Sequence, residues 1–177
     1  MSTKLVTGMV RFSYANVWTP KAIGDSETEK YSVSLLIPKS DKETVKRVKK
    51  AIKEAFDDGV AKVFNGKAPK SWKNPLRDGD TERDDEVYEG HYFINANSLN
   101  APQIVDKNVD PILDQSEFYS GCYGKASVNF YAFNVSGNRG IACGLGNLQK
   151  IKDGERLGGS STTASEDFEV IDDDDLL

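Results

Sequence analysis

Lys125–Asn134 reads KASVNFYAFN. Ala126, Val128, Phe130 and Ala132 fall on one face and Ser127, Asn129, Tyr131 and Phe133 on the other, the period-two pattern of a half-buried strand. The next residues, VSGNRG, supply Ser136, Gly137, Asn138 and Gly140, residue types that tight turns use. Ile141–Ile151 then resumes an apolar-rich run. Together these segments predict a β-hairpin and a mainly β body.

Moving outward from the hairpin, Asp153 to Ser165 has the composition of a flexible linker. Ser165 to Leu177 carries seven carboxylates and no Lys or Arg, so the 23 basic and 28 acidic residues of the chain divide into a body of 23 − 21 = +2 and a strongly acidic end. Such a run reads as a solvated interaction tail, although Phe168, Val170, Ile171, Leu176 and Leu177 are more apolar than solubility requires. On the N-terminal side, Lys4–Tyr14 is a plausible first strand and Asn16–Glu29, with Pro20 and Gly24, reads as a loop. Tyr31–Ile37 alternates as a strand and stops at Pro38.

A single helix follows. Ser40 is the expected N-cap, with Glu43 completing a capping box, and Val45, Val48, Ile52 and Phe56 recur at helical spacing. Gly59 suggests a stop near Asp58, with Val60–Phe64 able to prolong it. Asn65–Glu89 reads as a long, charged loop. Gly90–Asn97 and Pro102–Asp106 are two further strands, and Asp110–Ser116 is a turn or short helical connection. A small antiparallel barrel with one helix fits this order, and so does a sandwich.

The composition excludes several classes. No stretch approaches the roughly 18–20 apolar residues of a transmembrane helix, so no membrane partner is expected, and no signal core opens the chain. Cys122 and Cys143 read as a reduced pair of small core residues in a cytoplasmic protein. The loop carboxylates Asp78, Asp80, Glu82, Asp84, Asp85 and Glu86 resemble the start of a calcium loop but lack its glycine and entering helix; a solvated loop is the plainer reading. The single histidine, His91, has no nucleophile motif beside it. There is no phosphate-binding glycine loop and no CxxC pair. The chain is therefore read as non-enzymatic, with no cofactor and no metal.

What the sequence does offer is aromatic residues interleaved with cations, the pattern that holds single-stranded nucleic acid by stacking and phosphate neutralisation. The candidates are Trp18 with Lys21; Lys70, Trp72 and Arg77; Tyr119, Tyr123 and Lys125; and Tyr131 with Phe133. Some of these rings must instead fill the core. The cations of the helix read as a solvated face.

RFSYANVWTPK, PLRDGD, YSGCYGKASVNFYAFN and GIACGLGNLQKIKDGERLGG, taken in order from Gly8 to Gly159, resemble phage-encoded single-stranded DNA-binding proteins. The resemblance implies an OB-fold-like antiparallel barrel with one α-helix and long loops. It also implies sequence-independent binding of single-stranded DNA in phage replication or recombination, and a disordered acidic C-terminal tail. On this reading residues 1–152 form the DNA-binding domain, 153–164 the linker and 165–177 the tail. Asp172, Asp173, Asp174, Asp175, Leu176 and Leu177 would compete with DNA or recruit replication and recombination proteins. A homodimer is the assembly considered. The alternatives are a β-rich phage structural protein and, more remotely, a metal-dependent nuclease using the Asp78–Glu86 cluster.

Overall fold

The computed structural model describes residues 3–22, 27–157 and 168–171. Most of the expected linker and the tail residues Asp172–Leu177 lie outside them. In chain order the elements are β1 (Lys4–Val6), β2 (Val10–Ala22), β3 (Glu29–Pro38), α1 (Lys42–Lys62), β4 (Arg77–Asp78), α2 (Gly79–Glu82), β5 (His91–Ser98), β6 (Ile104–Val105), β7 (Tyr123–Val135) and β8 (Asn138–Lys152). The protein is mainly β with one main helix. Strands β2, β3, β5, β8 and β7 pair in that order, and β7 returns to β2, so the pairings close into a ring. Every pairing in the ring is antiparallel except β5 with β8. Closure leaves few strand edges unpaired, which protects a β-protein against edge-to-edge association.

The β7–β8 hairpin turns at Ser136 and Gly137, whose φ values of 52° and 85° are both positive. That geometry matches the twist of the flanking strands. As the alternation predicts, Ala126, Val128 and Phe130 are buried, with Ala132 packed at the edge of the same core. On β3, Val33, Leu35 and Ile37 enter this main core, while Leu36 on the opposite face joins Tyr88 and Phe93 in a second, small cluster. Both faces of the C-terminal half of β3 are thus covered, and the alternation there separates two cores rather than core from solvent.

The N-terminal reading is corrected in two places. The expected strand Lys4–Tyr14 is interrupted at Thr7–Met9, where Thr7 N–H donates to Ala126 O (2.9 Å) and Gly8 N–H to Thr44 Oγ1 (3.0 Å). The expected loop beginning at Asn16 is instead β2 as far as Ala22. Its pairing with β3 is irregular between Asn16 and Lys21, so Pro20 sits where no ladder bond needs its missing N–H.

Helix α1 buries Val45, Val48, Ala51, Ile52 and Ala55. Its N-cap is Asp41, not Ser40. The Asp41 carboxylate accepts from Thr44 N–H (3.1 Å) and Thr44 Oγ1 (2.6 Å), and Glu43 pairs with Arg47 (3.8 Å) rather than closing a capping box. A carboxylate is the better acceptor at the positive end of the helix. Gly59 does not stop α1 but lets it approach β7: a Cβ there would stand 2.4 Å from Ala132 Cβ. The Thr44 hydroxyl holds the Asp41 carboxyl below its ordinary range. Its contribution is therefore complete above the unfolded-state value and is lost as pH falls through the lowered one. Asp41→Ala is expected to cost about 1 kcal/mol at neutral pH and less in acid, which urea unfolding at the two pH values will show.

Residues 65–90 form a clamp rather than a plain loop. β4 pairs with Phe93 and Tyr92 of β5. Asp78 accepts from Asp80 N–H at the start of α2 (2.9 Å), and Asp80 accepts from Gly90 N–H (2.9 Å). Lys39, just past β3, reaches Asp78 at 2.7 Å and Asp80 at 2.6 Å. The PLRDGD motif therefore builds the fold. Of the six loop carboxylates weighed against a metal site, Asp78, Asp80, Glu82 and Asp85 are engaged in these bonds, in Arg77–Glu82 (3.0 Å) and in Arg83–Asp85 (3.9 Å). Among the described residues no cluster is arranged to hold a metal ion.

GCYG is likewise structural. A Cβ at Gly124 would meet Gln149 O at 1.8 Å, so β7 and β8 cross there with no room for a side chain. Cys122 and Cys143 are free and buried, and burial pushes both thiols up. The first residues of the Gly/Ser-rich segment are held by the body: Arg11 donates to Glu155 O (2.8 Å) and Leu157 N–H to Ser120 O (2.9 Å).

Candidate nucleic-acid interface

The outer face of the ring carries one continuous lateral row of small polar positions. Asn16 of β2 stands opposite Ser32 of β3, Ser32 opposite Asn97 of β5, Asn97 opposite Gly144 of β8, Gly144 opposite Asn129 of β7, and Asn129 opposite Lys4 of β1. A second row, Ser13, Ser34 and Asn95, runs beside it on β2, β3 and β5. Period two places these residues on the face opposite Val33, Ile94 and Ala96 of the core. A shallow groove of about 410 Å³ opens over β2, β3 and β5, lined by Tyr14, Lys21, Ser32, Arg83, Asn95 and Asn97. A second depression, of about 310 Å³, adjoins it and shares Tyr14, Asn16 and Lys21.

Tyr14 stands between the two. The three-residue step of β2 from Ser13 to Asn16 stands opposite the two-residue step of β3 from Ser34 to Ser32, and Tyr14 takes the left-handed conformation at φ 47°. That β-bulge re-aims its side chain, leaving it 59 % exposed. Ala15 N–H braces the bulge by donating to Ser120 Oγ (2.9 Å). Behind Tyr14, the Arg83 guanidinium lies 5.4 Å from the Tyr14 ring and 4.3 Å from the Tyr88 ring, and it donates to the Tyr14 hydroxyl at 3.0 Å. That hydrogen bond raises the guanidinium's already high pKa, so Arg83 is a fixed positive charge. Tyr88 is buried, edge-on to Phe93 at 5.1 Å, and its hydroxyl lies 3.3 and 3.4 Å from those of Ser13 and Ser34. The clamp of residues 77–90 thus holds an exposed ring and a cation at the lip of the groove.

The sequence candidates separate into four places. Lys21 lines the groove. Tyr131, 43 % exposed, lies beside it on β7, its ring edge 3.6 Å from where a Gly144 Cβ would be; Phe133 follows, half-buried, and Lys125 is exposed further along the strand. Trp18 packs on the core and donates its indole N–H to Phe118 O (3.0 Å). Lys70 is exposed near Trp72, whose ring packs on Phe56 of α1 at 4.9 Å, and Arg77 lies over Phe93 at 4.9 Å. Tyr119 sits between Arg156 (4.2 Å) and Lys150 (5.4 Å), and Tyr123 between Arg11 (5.2 Å) and Lys152 (4.7 Å). Lys21 lies at the groove on β2, Tyr131 and Phe133 share the outer face of β7 beside Gly144 of the row, and Trp18, Trp72 and Tyr119 pack elsewhere on the body. The groove residues that sequence reasoning missed are Tyr14, Asn16, Ser32, Arg83, Asn95 and Asn97. For Ser32, Asn95 and Asn97 the signal was the polar half of the alternation in YSVS and INAN; Tyr14, Asn16 and Arg83 carried none.

A five-stranded ring closed in this order, with a polar groove over β2, β3 and β5, has the strand order of the small β-modules known to bind oligonucleotides or oligosaccharides. The chain belongs to the family of the Enterobacter phage Enc34 single-stranded DNA-binding protein, whose model matches residues 3–177. It is 28 % identical over 174 residues to protein p50 of Acyrthosiphon pisum secondary endosymbiont phage 1, covering 95 % of this chain and 94 % of that one. The solved complex of the bacteriophage Enc34 protein with single-stranded DNA superposes with a TM-score of 0.78 at 22 % identity, covering 88 % of this chain and 90 % of that one. Gp2.5, a single-stranded DNA-binding protein encoded by bacteriophage T7, superposes with a TM-score of 0.61 at 15 % identity over 89 % of this chain and 90 % of that one.

Proposed function

We propose that this chain binds single-stranded DNA without reading its sequence, laying the strand across the ring along the row Asn16–Ser32–Asn97–Gly144–Asn129. That row is the observation that carries the reading. Its side chains are short, so a chain of nucleotides can approach the sheet. They present amides and hydroxyls that satisfy base edges or sugars without selecting one base. Tyr14 and Tyr131 flank the row as stacking platforms, and Lys4, Lys21, Lys30 and Arg83 stand near it for phosphates. Family membership and the fold shared with the Enc34 protein solved on single-stranded DNA support the same conclusion.

The groove is complete within one chain, so a homodimer is not needed to form it. Among the described residues no helix is long and apolar enough to cross a membrane, which accords with work on phage DNA in the host cytoplasm during replication or recombination. Asp172–Asp175, Leu176 and Leu177 serve as the contact for replication or recombination proteins. The test is fluorescence anisotropy with labelled oligo(dT) across a salt series. With three or four phosphates neutralised, log K is expected to fall with log salt at a slope of about −2 to −3, and duplex of equal length should bind far more weakly. Equal affinity for duplex, or no binding at low salt, would overturn the proposal.

A further inference from the structure

Part of the positive charge of the body lies on α1, away from the groove. Between Lys42 and Lys53 helix α1 carries six cations and one carboxylate. Beside this face lies an open apolar groove of about 290 Å³, floored by Ile52, Phe56, Trp72 and Leu76 and rimmed by Lys49 and Lys53. Trp72 and Phe56 are only half-buried there. The same chain ends in a segment of opposite character, FEVIDDDDLL from Phe168, in which apolar residues are set among acids. Phe168 is 74 %, Val170 100 % and Ile171 69 % exposed. One molecule therefore holds an open apolar groove with a cationic rim and an exposed apolar segment with an anionic surround.

We propose that the chain's own C-terminal segment, Phe168–Leu177, docks on α1, its apolar side chains in the Ile52–Phe56–Trp72–Leu76 groove and its carboxylates over Lys49, Lys53 and the neighbouring cations. The reach suffices: the ten residues from 158 to 167 extend to about 33 Å, against a radius of gyration of about 15 Å for the body. Tethering keeps the segment at an effective concentration near the millimolar range, so a weak contact is still populated. Docking stows the acids and terminal leucines and releases them when a better partner competes. The contact lies on a different face from the strand-binding row and stands independently of it.

The test uses the full chain with Trp18→Phe, which leaves Trp72 as the sole indole. Replacing Phe168, Val170 and Ile171 together with Ser is expected to move Trp72 emission to longer wavelength and to raise its acrylamide quenching about twofold. Lys49→Glu with Lys53→Glu should do the same. Hydrogen exchange on the otherwise unaltered chain provides a readout free of the Trp18 change, with slower exchange at residues 49–56 and 70–76 than in the triple-Ser variant. Identical emission, quenching and exchange in the two chains would overturn the proposal. A difference that grows with protein concentration would place another copy's segment in the groove and overturn the own-chain contact. Protection of Trp72 by oligo(dT) but not by the intact tail would overturn it in favour of DNA on α1.

Discussion

Tyr14→Ala is expected to weaken oligo(dT) binding roughly five- to a hundredfold, the loss of about 1–3 kcal/mol that accompanies removal of one base-stacking ring. The magnitude follows from position. Tyr14 is the exposed ring between the two depressions of the groove, and its hydroxyl and rear face are already fixed by Arg83. A platform held in place loses little conformational freedom on binding, so more of the stacking energy appears as affinity. A second substitution separates binding from folding. The left-handed backbone of Tyr14, φ 47°, is strained for any residue with a side chain, and Tyr14→Gly relieves that strain. It should leave the protein as stable or slightly more stable while weakening oligo(dT) as Tyr14→Ala does. Anisotropy and urea unfolding on the same samples check both halves; a Tyr14→Gly protein that binds normally would remove Tyr14 from the interface.

The legibility of this molecule varied with how local its determinants are. The β7–β8 hairpin was readable because its alternation and its Ser136–Gly137 turn are contiguous. The helix was readable for the same reason, although Asp41 and Ser40 are both good caps and only the contact with Thr44 separates them. Gly59 misled because a glycine that ends a helix and a glycine that admits Ala132 of a neighbouring strand look alike in sequence. The groove was harder. The lateral row is assembled from one residue each of β2, β3, β5, β8 and β7, so nothing in the chain order joins Asn16 to Asn97 or Gly144 until register is known. Aromatic–cation proximity along the chain, by contrast, placed Trp18 and Trp72 among the candidates; in the structure Trp18 donates its indole N–H to Phe118 O and Trp72 packs on Phe56 while lining the open groove beside α1. Tyr14 is the ring the structure exposes at the groove, and its exposure comes from a bulge that no composition rule announces.

Gly79→Ala is expected to destabilise the protein by about 3 kcal/mol, at the upper end for overpacking, and to weaken oligo(dT) binding with it. A Cβ at Gly79 would stand 2.2 Å from Tyr88 O and 2.7 Å from His91 O. Both neighbours are backbone, so relief requires moving the chain rather than turning a rotamer. The segment that must move is the clamp that carries Arg83 and Tyr88, and it is tied down by Lys39 on Asp78 and Asp80. Gly90→Ala is the control. Its φ of 71° makes any side chain mildly strained, but nothing stands within 4 Å of its Cβ position, so about 1 kcal/mol is expected. Acid should loosen the same clamp. The Lys39 ammonium holds the Asp78 and Asp80 carboxyls below their ordinary value of 3.8, so the clamp's charge-assisted bonds persist above that value and are lost as pH falls through the lowered ones. Hydrogen exchange at residues 77–90 distinguishes a local opening from global unfolding. Fast exchange confined to that segment in Gly79→Ala, together with weakened oligo(dT) binding, would show that PLRDGD serves the groove by holding its lip in place. Unchanged binding with the clamp open would detach Arg83 from the site and leave Tyr14 to act alone.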